Sequence, residues 1–349
     1  MNHSVALAAM GSSETWPADR EPQTADAPEC TLVVPIYRNE QNVPSLLAAI
    51  DMIARQVGPD RFEAVFVVDG SPDRSLPMLR DALRHAAFRA RLIALARNFG
   101  SFAAIRVGLE HARGRAIAVM AADLQEPPEL VLEMFARLRA GDADVVFGQR
   151  VARHDHWFTD LSSRAFWGLY RRFVVRDVPP GGVDIFGCTR DVAATLLQLR
   201  EHHSSLVAQL FWVGYHRAFL PYERRARVHG TSAWTLRKRV GYMLDSVFAF
   251  TDLPIKLVAW AGAIGFAVSI VMALLTVIGK TLGWIEVTGY TTIVLMLAFF
   301  GSLNLLIQGT LGLYTWRTFE NTKARPLAIV AQRLDYAPDQ PPSQTTPPP

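Results

Sequence analysis

Cysteine is almost absent from this chain of 349 residues, which contains only Cys30 and Cys188. Two cysteines are too few for a disulfide framework, so we expect both to be reduced thiols in a cytosolic domain. The N-terminus also lacks a basic stretch followed by an apolar core, so no signal peptide is predicted. We expect residues 1–28 and the proline-rich end of the chain to be disordered.

Charged residues are scarce as well, at 19% of the chain, and the mean hydropathy is +0.15. The runs 257–279 and 287–316 contain no charged residue at all. A helix needs about 20 apolar residues to cross a bilayer, so we predict transmembrane helices at 255–279 and 288–316. A pair of buried core helices is the alternative. It is disfavoured because only Lys280 and Glu286 are charged between the two runs.

The basic residues around these runs predict their orientation. Four precede the first run and three follow the second, whereas the connecting loop has only Lys280 near the membrane. They are Arg237, Lys238, Arg239, Lys256, Arg317, Lys323 and Arg325. Because basic residues stay on the cytoplasmic side, we expect the large N-terminal region and the tail, residues 317–349, in the cytoplasm.

The net charge is +4 and the pI is about 9.2, but no nucleic-acid-binding motif accompanies this basic excess. We therefore predict no nucleic-acid partner and assign the excess to an anionic lipid bilayer. The stretch 233–254 mixes basic and apolar residues, which is typical of helices that lie along a membrane surface.

Strands and helices alternate from residue 30 to about 230, which predicts an α/β domain over 29–232. The strand segments are apolar runs rather than alternating patterns, as expected for a mainly parallel sheet that is covered on both faces. The predicted strands are 31–37, 62–68, 91–96, 116–122 and 144–150.

Three polar stretches follow predicted strands: 35–40 after the first, 69–73 after the second and 123–129 after the fourth. In parallel sheets of this kind the ligand lies beyond the carboxyl ends of the strands. If the strands are neighbours, the three stretches converge on one crevice.

The chain resembles the inverting family-two glycosyltransferases, and more narrowly their polyprenyl-phosphate branch, which includes dolichol-phosphate mannose synthase and bacterial undecaprenyl-phosphate glucosyl transferases. The motifs that carry the resemblance are "VVPIYRNEQNV", "VVDGSPDRS", "LARNFGSFAAIRVGLEHARG", "MAADLQEPPEL", "LPYERRARVHGTSAW" and "FENTKARPLAIV". The resemblance implies a GT-A nucleotide-sugar fold. It also implies transfer of one sugar from a nucleotide diphosphate to a polyprenyl phosphate at the bacterial inner membrane. Members of this family often form homo-oligomers, and the oligomeric state is left open here.

The resemblance also implies roles for individual residues. Pro35, Tyr37, Glu40 and Asp69 would border the nucleoside, and Arg97 and Ala122 would lie near the donor. Asp123 and Gln125 would approach the diphosphate and a divalent cation, Mg²⁺ or Mn²⁺. Arg224, Arg227 and Ser232 would face the acceptor phosphate. The carboxylate of Asp184 is a candidate for orienting the reactants, and a loop cap is its alternative role.

Three positions depart from the family pattern. Val68 and Ala121 each stand where the family usually has aspartate, and Ala233 stands where it usually has lysine. These changes leave open the nucleotide base, the strength of metal binding and one contact to the acceptor phosphate. Mg²⁺ often uses only one or two carboxylates, so Asp123 with Gln125 and substrate phosphates would still make a workable site.

Two other functions compete with sugar transfer. The three departures would also suit a catalytically silent nucleotide-sugar-binding or scaffold protein of the same fold. A processive polysaccharide synthase is disfavoured, because no Gln-x-x-Arg-Trp motif is present and two membrane spans are too few for a polymer channel.

Overall fold

The computed structural model describes residues 27–152, 179, 183–199, 201, 204–225, part of 257–283, 289–323, 325–338 and 343–344. Its centre is an α/β sheet, and all five strands that the sequence predicts are present in it. Their bounds are β1 Cys30–Ile36, β2 Phe62–Val68, β3 Arg89–Leu95, β4 Ala116–Val119 and β5 Val145–Ala152. Strands β4, β1, β2 and β3 are adjacent in that order and parallel, so the predicted class and the parallel centre are confirmed.

The remaining strands extend the sheet at both sides. They are β6 Val183–Thr189, β7 Arg217–Glu223, β8 Val330–Tyr336 and β9 Ser343–Gln344. The order across the sheet is β7-β5-β6-β4-β1-β2-β3-β8-β9. Strand β6 runs antiparallel to both β4 and β5, and β7 runs parallel to β5. None of these four strands is predicted from the sequence.

Helices cover both faces of the sheet. They are α1 Val43–Val57, α2 Ser75–Ala82, α3 Ser101–His111, α4 Pro128–Ala140, α5 Arg190–Gln198 and α6 Leu206–Trp212. Helices α1 and α4 each have proline in the first turn, where a missing N–H costs no hydrogen bond. Helix α4 ends at Gly141, whose φ of 76° is the left-handed conformation that closes many helices.

Two apolar clusters form the core, one on each face of the sheet. In β1, Leu32 and Val34 belong to one cluster and Val33, between them, belongs to the other, because side chains alternate along a strand. The first cluster contains α1, α2 and α4, and the second contains α3, α5 and α6. Burial on both faces explains why the strands are continuous apolar runs.

The C-terminal segment returns to this sheet. Strand β8 pairs antiparallel with β3, from Ala90 opposite Tyr336 to Leu95 opposite Val330. The guanidinium of Arg91, only 5% exposed, is paired with the carboxylate of Asp335 at 2.5 Å. The sheet therefore does not end at the predicted domain boundary, residue 232, and part of the predicted tail is a strand. A pairing between segments so distant in the chain leaves no local signal in the sequence.

A seventh helix, α7, covers Tyr290–Thr322 and includes most of the second predicted span. Among the residues that the structure describes, none of the helices is both long enough and apolar enough to count as a membrane span. Most of the first predicted span, 255–279, lies outside the described residues, as do residues 1–26 and nearly all of the predicted interfacial stretch 233–254.

Candidate functional site

A crevice of ≈ 800 Å³ lies at the carboxyl ends of the four central parallel strands. This is where polar loops can meet, because parallel strands all end at the same edge of the sheet. Six of the residues predicted from the sequence line it together: Pro35, Tyr37, Asp69, Arg97, Ala122 and Asp123. The structure therefore brings together the ends of β1, β2, β3 and β4. The polar stretches after β1, β2 and β4 were predicted to converge if these strands are neighbours, and the family resemblance implies that Arg97, after β3, joins them.

Asp69 connects the end of β2 to the loop that follows β3. One carboxylate oxygen accepts a hydrogen bond from the backbone N–H of Phe99 at 2.7 Å, and the other accepts one from Gly100 at 2.8 Å. The side chain is only 2% exposed, and burial raises the pKa of its carboxyl group despite the two N–H donors and nearby Arg97. Asp69 thus shapes the crevice by holding the loop that contains Arg97.

Gly70 allows that loop to approach. Its φ is +54°, and a Cβ atom placed there would lie 2.2 Å from the carbonyl carbon of Arg97. No side chain fits between backbones at that distance. The Arg97 guanidinium in turn lies over the Phe99 ring, 4.1 Å from its centroid, so the loop presents a flat cationic surface beside the crevice.

Glu40, which is predicted to border the nucleoside, contacts the loop after β2. It does not line the crevice. Its carboxylate accepts a hydrogen bond from the Arg74 N–H at 2.9 Å, and its own N–H donates to Asp73 at 3.0 Å. Glu40 and Asp73 therefore join the loops after β1 and β2. Between Glu40 and the strand, Arg38 has a φ of 55°, an unusual conformation for a residue other than glycine.

Asp123 lies in a tight turn after β4. The next residue, Leu124, has a φ of 54°, and the Gln125 N–H points to the Asp123 carboxylate at 3.4 Å. Ala121 and Ala122 also line the crevice, so the position that the family usually fills with aspartate is an apolar part of the wall. The positive φ of Leu124 costs energy and persists only because the surrounding structure holds it. Residues in such conformations are concentrated at functional sites.

Gln125 makes its contacts on the other side of this turn, with the segment after β7. Its side-chain oxygen accepts a hydrogen bond from the Arg224 guanidinium at 2.5 Å. Its backbone oxygen accepts from the Arg225 N–H at 2.9 Å, and its side-chain NH₂ donates to the Arg225 carbonyl at 3.3 Å. Arg225 also reaches Glu129 at 3.4 Å. Gln125 thus attaches the arginine segment to the Asp123 turn.

Few groups in the described part of the chain are suited to holding a divalent cation. No group of three metal-ligating side chains occurs there, and the Gln125 oxygen already accepts a hydrogen bond from Arg224. The Asp123 carboxylate lines the crevice and is chemically suited to Mg²⁺ or Mn²⁺. The donor set therefore fits a cation that Asp123 holds together with phosphate oxygens of the substrate.

Asp184 lies in β6, and the sheet topology places it near the same edge. Because β6 is antiparallel to β4, with Gly187 opposite Ala118, the chain enters β6 beside the carboxyl end of β4. Arg224 is the only one of the three predicted acceptor residues that the structure describes. The other two, Arg227 and Ser232, lie outside the described residues.

The crevice wall also contains residues that are not predicted from the sequence. The first turn of α3 lines the crevice from Ser101 to Ala104, and Arg106 lies one turn further along. Arg106 donates to the carbonyl of Leu196 at 2.9 Å, which ties α3 to the end of α5. Leu327, far along the chain, also lines the crevice. The helix start after β3 could have been inferred from the strand order, but Leu327 had no local signal.

Comparison with known proteins gives a consistent picture. The model of the family described as Glycosyl transferase family 2 matches residues 31–194. A protein of Synechocystis sp. described as an uncharacterised glycosyltransferase is 30% identical over 313 residues, which are 89% of this chain and 98% of that protein. The undecaprenyl-phosphate 4-deoxy-4-formamido-L-arabinose transferase of Edwardsiella ictaluri is 29% identical over 306 residues, 85% of this chain and 91% of that protein.

Among solved structures, one that matches is a mannosyltransferase from Pyrobaculum calidifontis in complex with GDP-Man and Mn²⁺. It is 17% identical, with a TM-score of 0.42 over 85% of this chain and 90% of that one.

Proposed function

Because the chain belongs to glycosyl transferase family 2 and is therefore a glycosyltransferase, we propose that it transfers one sugar from a nucleotide-diphosphate sugar to a polyprenyl phosphate. The observation that carries this proposal is the pairing of Gln125 with Arg224 and Arg225, which sets cationic side chains directly beside the turn that presents Asp123. The name of the Edwardsiella relative, an undecaprenyl-phosphate sugar transferase, supports the same acceptor class.

The donor would lie in the crevice across the ends of β1 to β4. Pro35, Tyr37 and Asp69 line the part formed by β1 and β2, Arg97 lines the part formed by β3, and Asp123 lines the part formed by β4. We assign the diphosphate to the Asp123 end. A divalent cation held there by Asp123 would neutralise negative charge on the leaving diphosphate. Asp123 would orient that group, and Arg97 would add positive charge next to the nucleotide.

The acceptor would need little activation from the protein. A phosphate monoester has its second pKa near 6, so at pH 7 most of it is already dianionic and nucleophilic. One of its oxygens forms the bond to the anomeric carbon while the bond from that carbon to the diphosphate breaks. Arg224 and Arg225 are exposed and suited to binding the phosphate in line with that carbon. Asp184 would help to orient the reactants.

A lipid acceptor agrees with the exposed apolar surface of α7. Ile293, Leu297 and Leu305 are 60%, 68% and 71% exposed. Apolar side chains exposed in this number along one helix are typical of a helix that contacts lipid or another protein. We therefore propose that the segments 255–279 and 288–316 anchor the enzyme in the bacterial inner membrane, with its catalytic domain in the cytoplasm.

The proposal is tested with the full chain purified in detergent. It is incubated with undecaprenyl phosphate, Mg²⁺ and a panel of UDP- and GDP-sugars, and the lipid fraction is analysed by mass spectrometry. We expect one lipid-linked monosaccharide from one donor. Transfer to water or to a soluble sugar only would contradict the acceptor assignment. Nucleotide binding without any product would support the silent binding protein, which Ala121 in the crevice wall would also suit.

A further inference from the structure

One part of the crevice wall comes from an unexpected place in the chain. Among the described residues, every other one that lines the crevice lies between Pro35 and Gln209, whereas Leu327 belongs to the segment between α7 and β8. We propose that Leu327 forms an apolar wall at the nucleobase end of the donor site, so that the C-terminal segment is a nucleotide-binding element. This inference rests on the proposed nucleotide-sugar donor.

The position of Leu327 is fixed by its neighbours. The Ala96 N–H, just past the end of β3, donates to the Ile329 carbonyl at 2.9 Å. Ala328 and Val330 pack against the apolar cluster that contains α3. Leu327 is itself half-buried, while the Ile329 side chain is 53% exposed. The segment is therefore held in place by one backbone hydrogen bond and by the side chains of Ala328 and Val330. This keeps the half-buried Leu327 at the crevice.

The order of the strands indicates which end of the donor meets Leu327. Asp123 follows β4, and Leu327 precedes β8, which is four positions away in the order β4-β1-β2-β3-β8. At about 4.8 Å between strands, this is roughly 19 Å along the edge of the sheet. If the diphosphate lies at Asp123, the opposite end of an extended nucleotide lies near β3 and β8, and that end is the nucleobase.

The chemistry of that end suits a nucleobase, which has two apolar faces and a polar edge. Leu327 provides apolar contact, the Phe99 ring and the Arg97 guanidinium provide flat surfaces, and Asn98 provides an amide. Leu327 also follows the end of α7 at Thr322 by only five residues. The segment that leads away from this long helix therefore takes part directly in donor binding.

The test compares matched truncations in the full chain in detergent: Leu327→Ala, and Ile329→Ala as the control two residues along the same segment. Binding of UDP, GDP, UMP and GMP is measured by calorimetry, and steady-state kinetics give KM for donor and acceptor and kcat. For Leu327→Ala we expect binding of the preferred nucleotide to weaken on the order of tenfold, as is typical for losing an apolar contact of this size. The donor KM should rise equally, with kcat and the acceptor KM unchanged.

The monophosphate identifies the end of the donor that is affected. If Leu327 contacts the base, Leu327→Ala should weaken the binding of UMP or GMP by the same factor as the binding of UDP or GDP. Ile329→Ala should bind like the unsubstituted protein, and Leu327→Met should restore binding to within about twofold by keeping the apolar wall. The methionine variant also keeps the test valid if the alanine variant folds poorly.

Two results would overturn the inference. One is unchanged nucleotide binding in Leu327→Ala, and the other is a loss that appears with nucleotide sugars but not with the monophosphate. If the unsubstituted protein binds neither uridine nor guanosine nucleotides, the proposed donor class itself fails, and the assignment of Leu327 fails with it. A loss in Leu327→Ala of acceptor affinity alone would likewise reject the nucleobase position while leaving the proposed function in place.

Discussion

The side-chain oxygen of Gln125 accepts a hydrogen bond from the Arg224 guanidinium, whereas the family resemblance implies that Gln125 is a metal ligand. If Gln125 positions the arginine segment, Gln125→Ala should raise the KM for polyprenyl phosphate about fivefold, the scale of one partly exposed hydrogen bond to a charged group. The donor KM and the Mg²⁺ concentration for half-maximal activity should stay the same.

The control for this variant is Glu129→Gln, which weakens the exposed pair between Arg225 and Glu129 without touching the Asp123 turn. Exposed ion pairs contribute little, so its kinetics should match those of the unsubstituted enzyme. If Gln125→Ala instead needs much more Mg²⁺ while its acceptor KM is unchanged, Gln125 is a metal ligand during turnover.

Replacing Asp123 should abolish sugar transfer. The Asp123 carboxylate is the metal ligand proposed in the crevice, so Asp123→Ala should lower kcat on the order of 100-fold or more by removing charge compensation at the diphosphate. Product formation is measured with radiolabelled donor over a range of Mg²⁺ and Mn²⁺ concentrations. Asp142→Ala, at an exposed turn beside Arg137, serves as the control and should remain active. Near-normal activity of Asp123→Ala would reject the proposed metal role.

Gly70 should be intolerant of a side chain for two separable reasons. Gly70→Ala adds strain at a φ of +54° and a clash with the Arg97 backbone, whereas Gly141→Ala adds only strain, since its φ is +76° and its Cβ would meet nothing within 4 Å. The strain alone should cost about 1 kcal/mol in each. Calorimetric binding of the donor nucleotide should therefore weaken in Gly70→Ala only. Equal donor affinity in both variants would show that the Arg97 loop does not depend on this close approach.

Asp69 should make stability depend on pH in a defined direction. Burial raises the pKa of its carboxyl group in the folded protein, so the folded state binds this proton more tightly than the unfolded state does. The resulting stabilisation is complete below the unfolded pKa, about 4, and is lost as pH rises through the higher folded value. Asn cannot titrate. The unsubstituted protein should therefore lose stability relative to Asp69→Asn as pH rises from about 4. The quantity that falls is the difference between their free energies of unfolding.

Urea unfolding of both proteins in detergent, at a series of pH values from 4 to 7, measures this difference. A difference that instead increases with pH would mean that the N–H groups of Phe99 and Gly100 stabilise the carboxylate by more than burial destabilises it.

The sequence predicts the centre of the molecule well because the signals there are local. Continuous apolar runs specify strands that are buried on both faces, and the polar residues after them must meet at one edge. This is why the polar stretches after β1, β2 and β4 could be predicted to meet, whereas the individual residues of the crevice, such as Pro35, Arg97 and Asp123, were implied by the family resemblance. Glu40 belongs to the same motif, but its carboxylate binds Arg74, and a motif alone does not say which of its members faces the ligand.

The outer strands were missed for physical reasons. Strand β7 contains Pro221 and is only partly buried, and β8 alternates apolar with charged residues such as Arg333 and Asp335. Patterns of this kind are also found in loops. Their pairing depends on partners far away in the chain, so it is decided by tertiary contacts rather than by local preference. The same applies to Leu327, whose place at the crevice follows entirely from the pairing of β8 with β3.

The position of β8 also has a consequence for the order in which the protein matures. A ribosome completes β3 long before it reaches β8, so the outer edge of β3 keeps unpaired backbone groups until β8 has been synthesised. A product that ended before β8 would therefore carry an open edge on β3, and unpaired strand edges promote aggregation.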